Sequence, residues 1–319
     1  MRALLVVNPR ATGASPHTTD VIVQALSHEL DLQVELTTHR GHGTVLGNRA
    51  LDERFDAVIA LGGDGVVNEV LNGILRDGTG TQVPALGAIP GGSANVFSRA
   101  LRIPNDPVEA TGLLLRSVRE GRFRRIGVGH VRTDETERWF TVNAGLGLDA
   151  RVIESMEDQR QAGKRATPLR YAAITLREYL RYRGAAEMTL SSDDDEKSQG
   201  WRVIVVQNTS PWTYIGSLPV DPCPGASFDT GLDAFAMKAM DPVTTSLAAR
   251  WMLAPTLGRD RRFAPRTHMW HDQSALHVTC AAPVALQVDG EALGSRTNVK
   301  FTAHPEALMV MGWQRPHGD

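Results

Sequence analysis

The first 115 residues alternate short apolar runs with segments of helical length, and this alternation constrains the fold most strongly. The runs read ALLVV, LQVELT, DAVIAL and ALGAI, and the segments between and after them cover about residues 18–30, 43–53, 66–76, 93–101 and 107–119. Strands that alternate with helices predict parallel strands joined by crossover helices. We therefore expect a doubly wound, mainly parallel α/β domain whose ligand lies beyond the carboxyl ends of its strands.

From about residue 122 the pattern changes to many short strands separated by turns, such as RIGVGHV, WRVIVVQN and VALQVDG. This spacing predicts a β-rich, sandwich-like C-terminal domain. Helical insertions are expected at about 150–183 and 242–257, and a solvated hairpin tip at 191–200. The predicted domains are 1–122 and 123–304, with 305–319 packing back on the first.

Composition excludes several classes of function. The 34 basic and 36 acidic residues nearly balance, so the whole chain has no electrostatic reason to bind nucleic acid. Cys223 and Cys280 lie far apart, and the histidines show no HExxH spacing, so neither a disulfide framework nor a zinc site is indicated. No apolar stretch reaches the roughly 18 residues of a membrane span. We expect a cytoplasmic protein that meets the inner face of the membrane transiently and peripherally, with a homo-oligomer possible.

Three glycine-containing stretches, NPRATG, GGDG and PGGSAN, follow strands of the first domain and should converge. Phosphate binding needs backbone N–H groups without a Cβ in the way, next to a helix N-terminus. The spelling matches neither the Walker pattern nor GxGxxG. Asp64 is either a group that reaches a magnesium ion or a substrate hydroxyl, or the cap of the following helix.

The other two loops allow both a binding and a structural interpretation. Ser93 can cap the helix that follows PGGSAN and donate to a phosphate, and Asn95 can do either. Arg10 can clamp a phosphate, or it belongs to an ordinary loop after the Asn-Pro turn.

These motifs, together with GGDGVVNEV, FTVNAGLGLDA and QVDGEALG, occur in the order seen in the diacylglycerol kinase catalytic family, which includes sphingosine, ceramide and bacterial lipid kinases. The resemblance covers about residues 3–312. It implies an ATP-dependent, magnesium-dependent kinase that phosphorylates a lipid with a free hydroxyl, such as diacylglycerol. It also implies a nucleotide-binding first domain that faces the β-rich acceptor domain across a cleft.

The resemblance implies a set of nucleotide-binding positions: Asn8, Pro9, Arg10, Thr37, Gly62, Gly63, Asp64, Gly65, Val66, Asn68, Glu69, Gly92, Ser93 and Asn95. Asp289 and Glu291 match the late acidic motif that supplies the family's proposed proton acceptor. They and Asp64 are the candidate catalytic carboxylates, and the choice of base among them is open. A carboxylate that accepts the hydroxyl proton contributes about 10²- to 10⁴-fold. Asp289-Gly290 alternatively forms only a hairpin turn.

The chain departs from the family pattern at several positions. Three of them lack the polar side chain that the family often has: Val66, Val96 and Gly127. Thr230-Gly231 replaces the usual Asp-Gly, which puts a structural magnesium site at Asp229 and Asp233 in doubt. These departures affect the choice of acceptor more than the type of reaction.

Two other functions remain open. GGDG loops also occur in NAD kinases and phosphofructokinases, so the acceptor could be a soluble small molecule. The departures also fit a nucleotide-binding regulatory protein without turnover. The segment 167–183 predicts a basic amphipathic helix, with Arg170, Arg177, Arg181 and Arg183 off its apolar face, that lies on an anionic bilayer or packs on the sandwich. Trp212 and Tyr214 either line an acyl pocket or belong to the core.

Overall fold

The computed structural model describes residues 1–13, 15–80, 82–161, 174–175, 177–179, 181, 187–192, 197–253 and 266–314. The chain divides into two compact units. The first consists of Met1–Val128 with Pro305–Asp319, and the second of Gly129–His304.

The first unit alternates strands and helices. Its elements are β1 (Arg2–Val7), α1 (Pro16–Ser27), β2 (Asp31–Leu36), α2 (His42–Asp52), β3 (Ala57–Gly62), α3 (Asp64–Ile74), β4 (Ala85–Pro90), α4 (Val96–Ala100), α5 (Pro107–Arg119) and the start of β5 (Phe123–Arg132). The strands β2, β1, β3 and β4 lie side by side and parallel. The end of the last strand, β16 (Glu291–Met311), adds to β4 in parallel through Val310 and Leu86. The predicted parallel α/β architecture is confirmed.

Two helices of this unit pack with their backbones in close approach. An added Cβ at Gly47, in α2, would lie 2.7 Å from Val70 O and 2.9 Å from the Cα of Gly73, both in α3. Only glycine at these positions lets the two helices come so close. This contact fixes α2 beside α3, whose first turn begins with Asp64 and Gly65 of GGDG.

The second unit is mainly antiparallel. Besides parts of β5 and β16, it contains β6 (Glu137–Phe140), β7 (Asn143–Leu146), α6 (Leu148–Gln161), β8 (Met188–Ser192), β9 (Lys197–Trp201), β10 (Val203–Gln207), β11 (Thr213–Ile215), β12 (Leu218–Val220), β13 (Leu232–Met237), α7 (Pro242–Leu253), β14 (Thr267–Gln273) and β15 (Ala275–Val288). The strand order is β14-β13-β10-β7-β15-β16, with β8 paired to β15 and β9 to β8. Strands β11 and β12 form a separate hairpin. The predicted β-rich C-terminal part is confirmed.

The two predicted helical insertions are partly described. The one expected at about 150–183 begins as α6, and the one expected at about 242–257 corresponds to α7. Most of the predicted basic helix at 167–183 lies outside the described residues. Of its described part, Ile174 packs with Val152 and Met156 of α6, and Arg177 donates to Ser155 Oγ at 3.2 Å. Strands β8 and β9 form the expected hairpin, and its tip, 193–196, lies outside the described residues.

Candidate functional site

The three glycine-containing loops of the first unit converge, as the sequence predicted. The amide of Asn8, which follows β1, donates to Leu61 O at 2.9 Å. The amide of Gly91 donates to Gly62 O at 2.7 Å, and the amide of Gly13 donates to Gly91 O at 3.1 Å. Backbone hydrogen bonds therefore join all three loops at the carboxyl edge of the parallel sheet.

Glycines face glycines where GGDG meets PGGSAN. An added Cβ at Gly92 would lie 2.6 Å from the Cα of Gly63, and one at Gly91 would lie 3.1 Å from the Cα of Gly62. Carbon atoms normally stay about 3.5–4.0 Å apart, so a side chain at either position would push the loops apart. Gly65 differs, because it is exposed and an added Cβ there would meet no atom within 4 Å. The start of α3 therefore has open space beside it.

Asp64 links this loop to the next helix. Its two carboxylate oxygens accept hydrogen bonds from the amides of Val96 and Phe97, each at 3.0 Å. These are first-turn N–H groups of α4, which a carboxylate stabilises through hydrogen bonding and charge. The sequence offered Ser93 as the cap of α4, but Ser93 is exposed and Asp64 takes that role.

Glu69 plays the same part for α2. Its carboxylate accepts from the amide of Gly41 at 2.8 Å and from the amide of Gly43 at 2.8 Å. Both acidic residues of GGDGVVNE thus hold the N-terminus of a neighbouring helix. The motif therefore fixes α2 and α4 around the first turn of α3.

Asparagine side chains hold the other two loops in shape. Asn8 Oδ1 accepts from the amide of Arg10 at 3.0 Å, which forms a local turn. Asn95, in the left-handed region at φ +48°, accepts from the amide of Gly92 at 2.9 Å and donates to Asn105 Oδ1 at 2.8 Å. These contacts account for Asn8 and Asn95 without a ligand.

The other residues that the sequence predicts to bind nucleotide differ in their exposure. Pro9, Arg10, Gly65 and Ser93 are exposed, whereas Val66 and Asn68 are buried in α3. The amide of Thr37 donates to Val7 O at 2.8 Å at the end of the strand pair β1 and β2. The exposed group and the first turn of α3 are the part of this edge that a ligand can reach. A helix N-terminus favours a negatively charged group such as phosphate.

Magnesium suits this edge only as a companion of a phosphorylated ligand. No group of three or more His, Cys, Asp or Glu side chains that could hold a metal ion occurs within the described residues. Mg²⁺ commonly keeps several waters and binds one or two carboxylates together with substrate phosphates. Asp64 lies at this edge, and both of its carboxylate oxygens already accept from amides of α4.

In the second unit, Asp289 and Gly290 form the two-residue turn between β15 and β16. Both have positive φ, +44° and +79°, and Val288 pairs with Glu291 across the turn. This is the geometry of a type I′ hairpin turn. The hairpin interpretation of the DG pair is therefore correct as far as the backbone is concerned.

The carboxylate of Asp289 organises the segment before β7. It accepts from the amides of Thr141, Val142 and Asn143 at 2.8, 3.0 and 2.9 Å, and from Thr141 Oγ1 at 3.1 Å. A carboxylate with this many donors is held in one orientation.

A buried polar cluster adjoins this carboxylate. Gln287 Nε2 donates to Asn143 Oδ1 at 2.8 Å and to Asp149 Oδ2 at 2.6 Å. Asp149 lies in the first turn of α6 and is buried. Burial raises the pKa of Asp149 to about 6, against the smaller opposite effect of the hydrogen bond from Gln287.

Glu291 forms an ion pair with Arg138 of β6. The two side chains are 25% and 20% exposed, so solvent reaches the pair. Glu291 is therefore more accessible to a ligand than the buried Asp149, and its carboxylate is oriented by the guanidinium group.

Asp233, one of the two positions of the doubtful magnesium site, has a histidine as its partner. The Asp233 carboxylate is buried and contacts His271 Nδ1 at 2.8 Å, and it accepts from the amide of Asp272 at 3.0 Å. Burial raises the pKa of Asp233, and hydrogen bonding to Asp233 raises the pKa of His271. Asp229 is exposed, and neither residue belongs to a described cluster able to hold a metal ion.

Sequence reasoning missed Arg138, Asn143, Gln287 and His271 as site residues. Asn143 and Gln287 lie inside the motifs FTVNAG and QVDGE, so their proximity to Asp289 was a signal that could have found them. Arg138 and His271 carried no such signal, because Arg138 is 153 residues from Glu291 in the chain and His271 meets Asp233 only through the pairing of β13 with β14. No described helix is both long enough and apolar enough to cross a bilayer.

The N-terminal part of the chain is similar to a known family of kinase domains. Residues 2–131 match the family "diacylglycerol kinase catalytic domain". A diacylglycerol kinase of Staphylococcus saprophyticus is 32% identical over 148 residues, 46% of this chain and 45% of the relative. One from Staphylococcus aureus strain JH9 is 33% identical over 148 residues, 46% of this chain and 43% of the relative. The matched region thus spans less than half of each curated relative.

Solved structures match over nearly the whole chain. A crystal structure of a diacylglycerol kinase from Bacillus anthracis has a TM-score of 0.71 at 20% identity, covering 98% of this chain and 97% of that one. A second structure from the same organism has a TM-score of 0.75 at 20% identity with the same coverage. At this identity the likeness shows the fold.

The parallel sheet and its converging glycine loops define an α/β domain of the kind that binds phosphorylated ligands beyond its strand ends. Within that class, residues 2–131 are similar to the diacylglycerol kinase catalytic domain and to the matched parts of curated diacylglycerol kinases.

Proposed function

We propose that the protein is an ATP-dependent kinase that transfers the γ-phosphoryl group to the hydroxyl of a lipid such as diacylglycerol. The observation that supports this most directly is the open edge at Gly65, at the start of α3 and beside the joined loops, inside the domain that matches the kinase family. The similarity to curated diacylglycerol kinases supports diacylglycerol as the acceptor. We propose that the protein acts from the cytoplasm at the inner face of the membrane.

On the nucleotide side, ATP with Mg²⁺ would supply the transferable group and neutralise its charge. The chain's own part is positioning. We propose that the first-turn amides of α3, Arg10 and Ser93 bind the phosphates, and that Gly65 leaves room for them. Asp64 and Glu69 hold the surrounding helices, since their carboxylates already cap α4 and α2.

On the acceptor side, we propose Glu291 as the group that accepts the hydroxyl proton. Asp289 already accepts four hydrogen bonds and is better suited to holding the turn that carries Glu291. Arg138 orients the Glu291 carboxylate. Removal of the hydroxyl proton by a positioned carboxylate contributes about 10²- to 10⁴-fold to the rate.

The direct test is incubation of the purified protein with labelled ATP, Mg²⁺ and a total lipid extract, followed by identification of the labelled product. We expect label in a lipid, and with diacylglycerol we expect Glu291→Gln to lower kcat at least about 100-fold without weakening ATP binding. Glu137→Gln is the matched control, since Glu137 is an exposed carboxylate of the same unit that pairs with Arg132. Its kcat should stay unchanged.

Two results would contradict the proposal. If the label enters only a soluble small molecule, the protein is a kinase of a different class of acceptor. ATP-dependent thermal stabilisation without any labelled product would indicate a nucleotide-binding protein without turnover.

A further inference from the structure

The second unit exposes its large apolar side chains in one place. Among its described residues, every exposed large hydrophobic side chain lies on α7 or on the β11–β12 hairpin: Ile215, Leu218, Val243, Leu247 and Leu253. Val243 is 67% exposed and Ile215 54%. We call this set the apolar face. Such clustering marks an interaction surface, whereas isolated exposed hydrophobics do not.

The two elements form one surface. Strand β12 packs against α7, and the amide of Asp221, which follows β12, donates to Met252 O at 2.8 Å. Trp251 Nε1 donates to Pro222 O at 3.2 Å. Trp212, before β11, and Trp251 pack against the same buried cluster. The segment after β12 is thus held against the C-terminal end of α7.

Helix α7 is apolar on two sides. Thr244 and Ala248 are buried against the unit, while Val243, Leu247 and Leu253 face outward. A surface helix in water normally carries polar side chains on its outer face. The single charged residue of α7 is Arg250, and the hairpin from Thr213 to Val220 has none. The surface therefore suits an apolar medium that is bordered by negative charge.

We propose that the apolar face docks on a lipid bilayer that contains anionic headgroups, with α7 and the hairpin tip entering the headgroup region. Trp212 and Trp251 beside it are the residue type that prefers the boundary between lipid and water. Arg250 matches anionic headgroups. A two-fold contact between copies would bring the same surface against itself. The carboxylate beside α7, that of Asp241, already caps the helix and pairs with Arg266, so anionic headgroups are the better partner for Arg250.

A hydrogen bond joins the polar cluster of the same unit to the chain just before the β11–β12 hairpin. Asn143 Nδ2 donates to Trp212 O at 3.0 Å, while the amide of Asn143 donates to Asp289. The docking inference deepens the proposed function and rests on it in this respect, since a lipid kinase must meet its acceptor in a bilayer.

Vesicle flotation tests the proposal. Wild-type protein should float with vesicles of equal parts phosphatidylglycerol and phosphatidylcholine, and less with phosphatidylcholine alone. The triple variant Ile215→Ser, Val243→Ser and Leu247→Ser should lower the partition coefficient about tenfold for each side chain. All three positions are exposed, so the melting temperature should be retained.

The matched control is Val45→Ser with Val108→Ser, which removes two exposed apolar side chains from the first unit. This control should bind vesicles as the wild type does. Arg250→Gln should reduce binding to anionic vesicles alone, and added salt should remove that difference.

Three results would overturn the proposal: wild-type protein that binds neither vesicle, a triple variant that binds as well as the wild type, or a control that loses binding equally. If the wild type binds no vesicles and the triple variant converts a dimer to a monomer, the surface is a contact between copies. Activity separates this inference from the kinase proposal. The wild type and the triple variant should phosphorylate dispersed short-chain diacylglycerol at equal rates. A wild-type protein that does not phosphorylate it would contradict the kinase proposal alone.

Discussion

The acidic motifs of the two units use their carboxylates differently. In the first unit, Asp64 and Glu69 both bind backbone amides at helix N-termini. In the second unit, Asp289 binds backbone amides while Glu291 pairs with a side chain that solvent reaches. Three of these four carboxylates therefore hold loops or helix ends in place. This difference is the reason why we propose Glu291, and not the other three, as the group that accepts the hydroxyl proton.

The largest effect on stability is expected at Asp289. Asp289→Asn keeps a residue that tolerates positive φ, so the change tests the hydrogen bonds alone. An amide cannot accept from all four donors, and we expect a loss of about 3–5 kcal/mol in the free energy of unfolding. Urea denaturation measures it. Glu291→Gln, at a partly exposed ion pair, should cost less than about 1 kcal/mol, and equal losses for the two variants would contradict the comparison.

Asp149 makes the stability of the second unit depend on pH. Burial raises its pKa in the folded protein to about 6, well above the ordinary value of an aspartate, so folding favours the protonated carboxyl group. The contribution is fully present below about pH 4 and is lost as the pH rises through about 6, with a total on the order of 3 kcal/mol.

Asp149→Asn keeps the shape and cannot ionise. The variant should therefore lose less stability than the wild type between pH 4 and pH 8, and it should be the more stable protein at pH 8. Denaturant unfolding across this range measures both. If the free energies of unfolding of the two proteins change equally with pH, Asp149 is not the titrating group.

Asp64 should show a smaller effect, because fewer bonds are involved. Asp64→Asn leaves one of the two α4 amides without an acceptor, at a cost of about 1–2 kcal/mol, and it should weaken ATP binding by loosening the loops. Asp106→Asn is the control, since Asp106 caps α5 with a single oxygen, Oδ1, at 2.9 Å from two amides. The control loses the same charge but keeps its acceptor. A loss as large for Asp106→Asn would contradict the two-oxygen explanation.

Much of the fold could be predicted from local patterns. The alternation of strands and helices predicted the parallel sheet, and the glycine stretches after strands predicted converging loops, because parallel strands end at one edge. The roles of individual carboxylates could not be predicted in the same way. Asp64 meets Val96 and Glu69 meets Gly41 only after the chain has folded, and neither spacing is a recognisable local motif. The pairing of His271 with Asp233 has the same long-range origin.

The central claim, that the start of α3 binds the phosphates of ATP, is tested most directly at Gly65. An added side chain there meets no protein atom within 4 Å, so Gly65→Val can obstruct a ligand without a clash inside the fold. The measurement is the rise in melting temperature on adding ATP with Mg²⁺. At an ATP concentration of 100 times Kd, binding stabilises the folded protein by about 2.7 kcal/mol. We predict that Gly65→Val folds and loses this rise, and that Gly65→Ala retains more of it. A Gly65→Val protein with the full wild-type rise would contradict the claim.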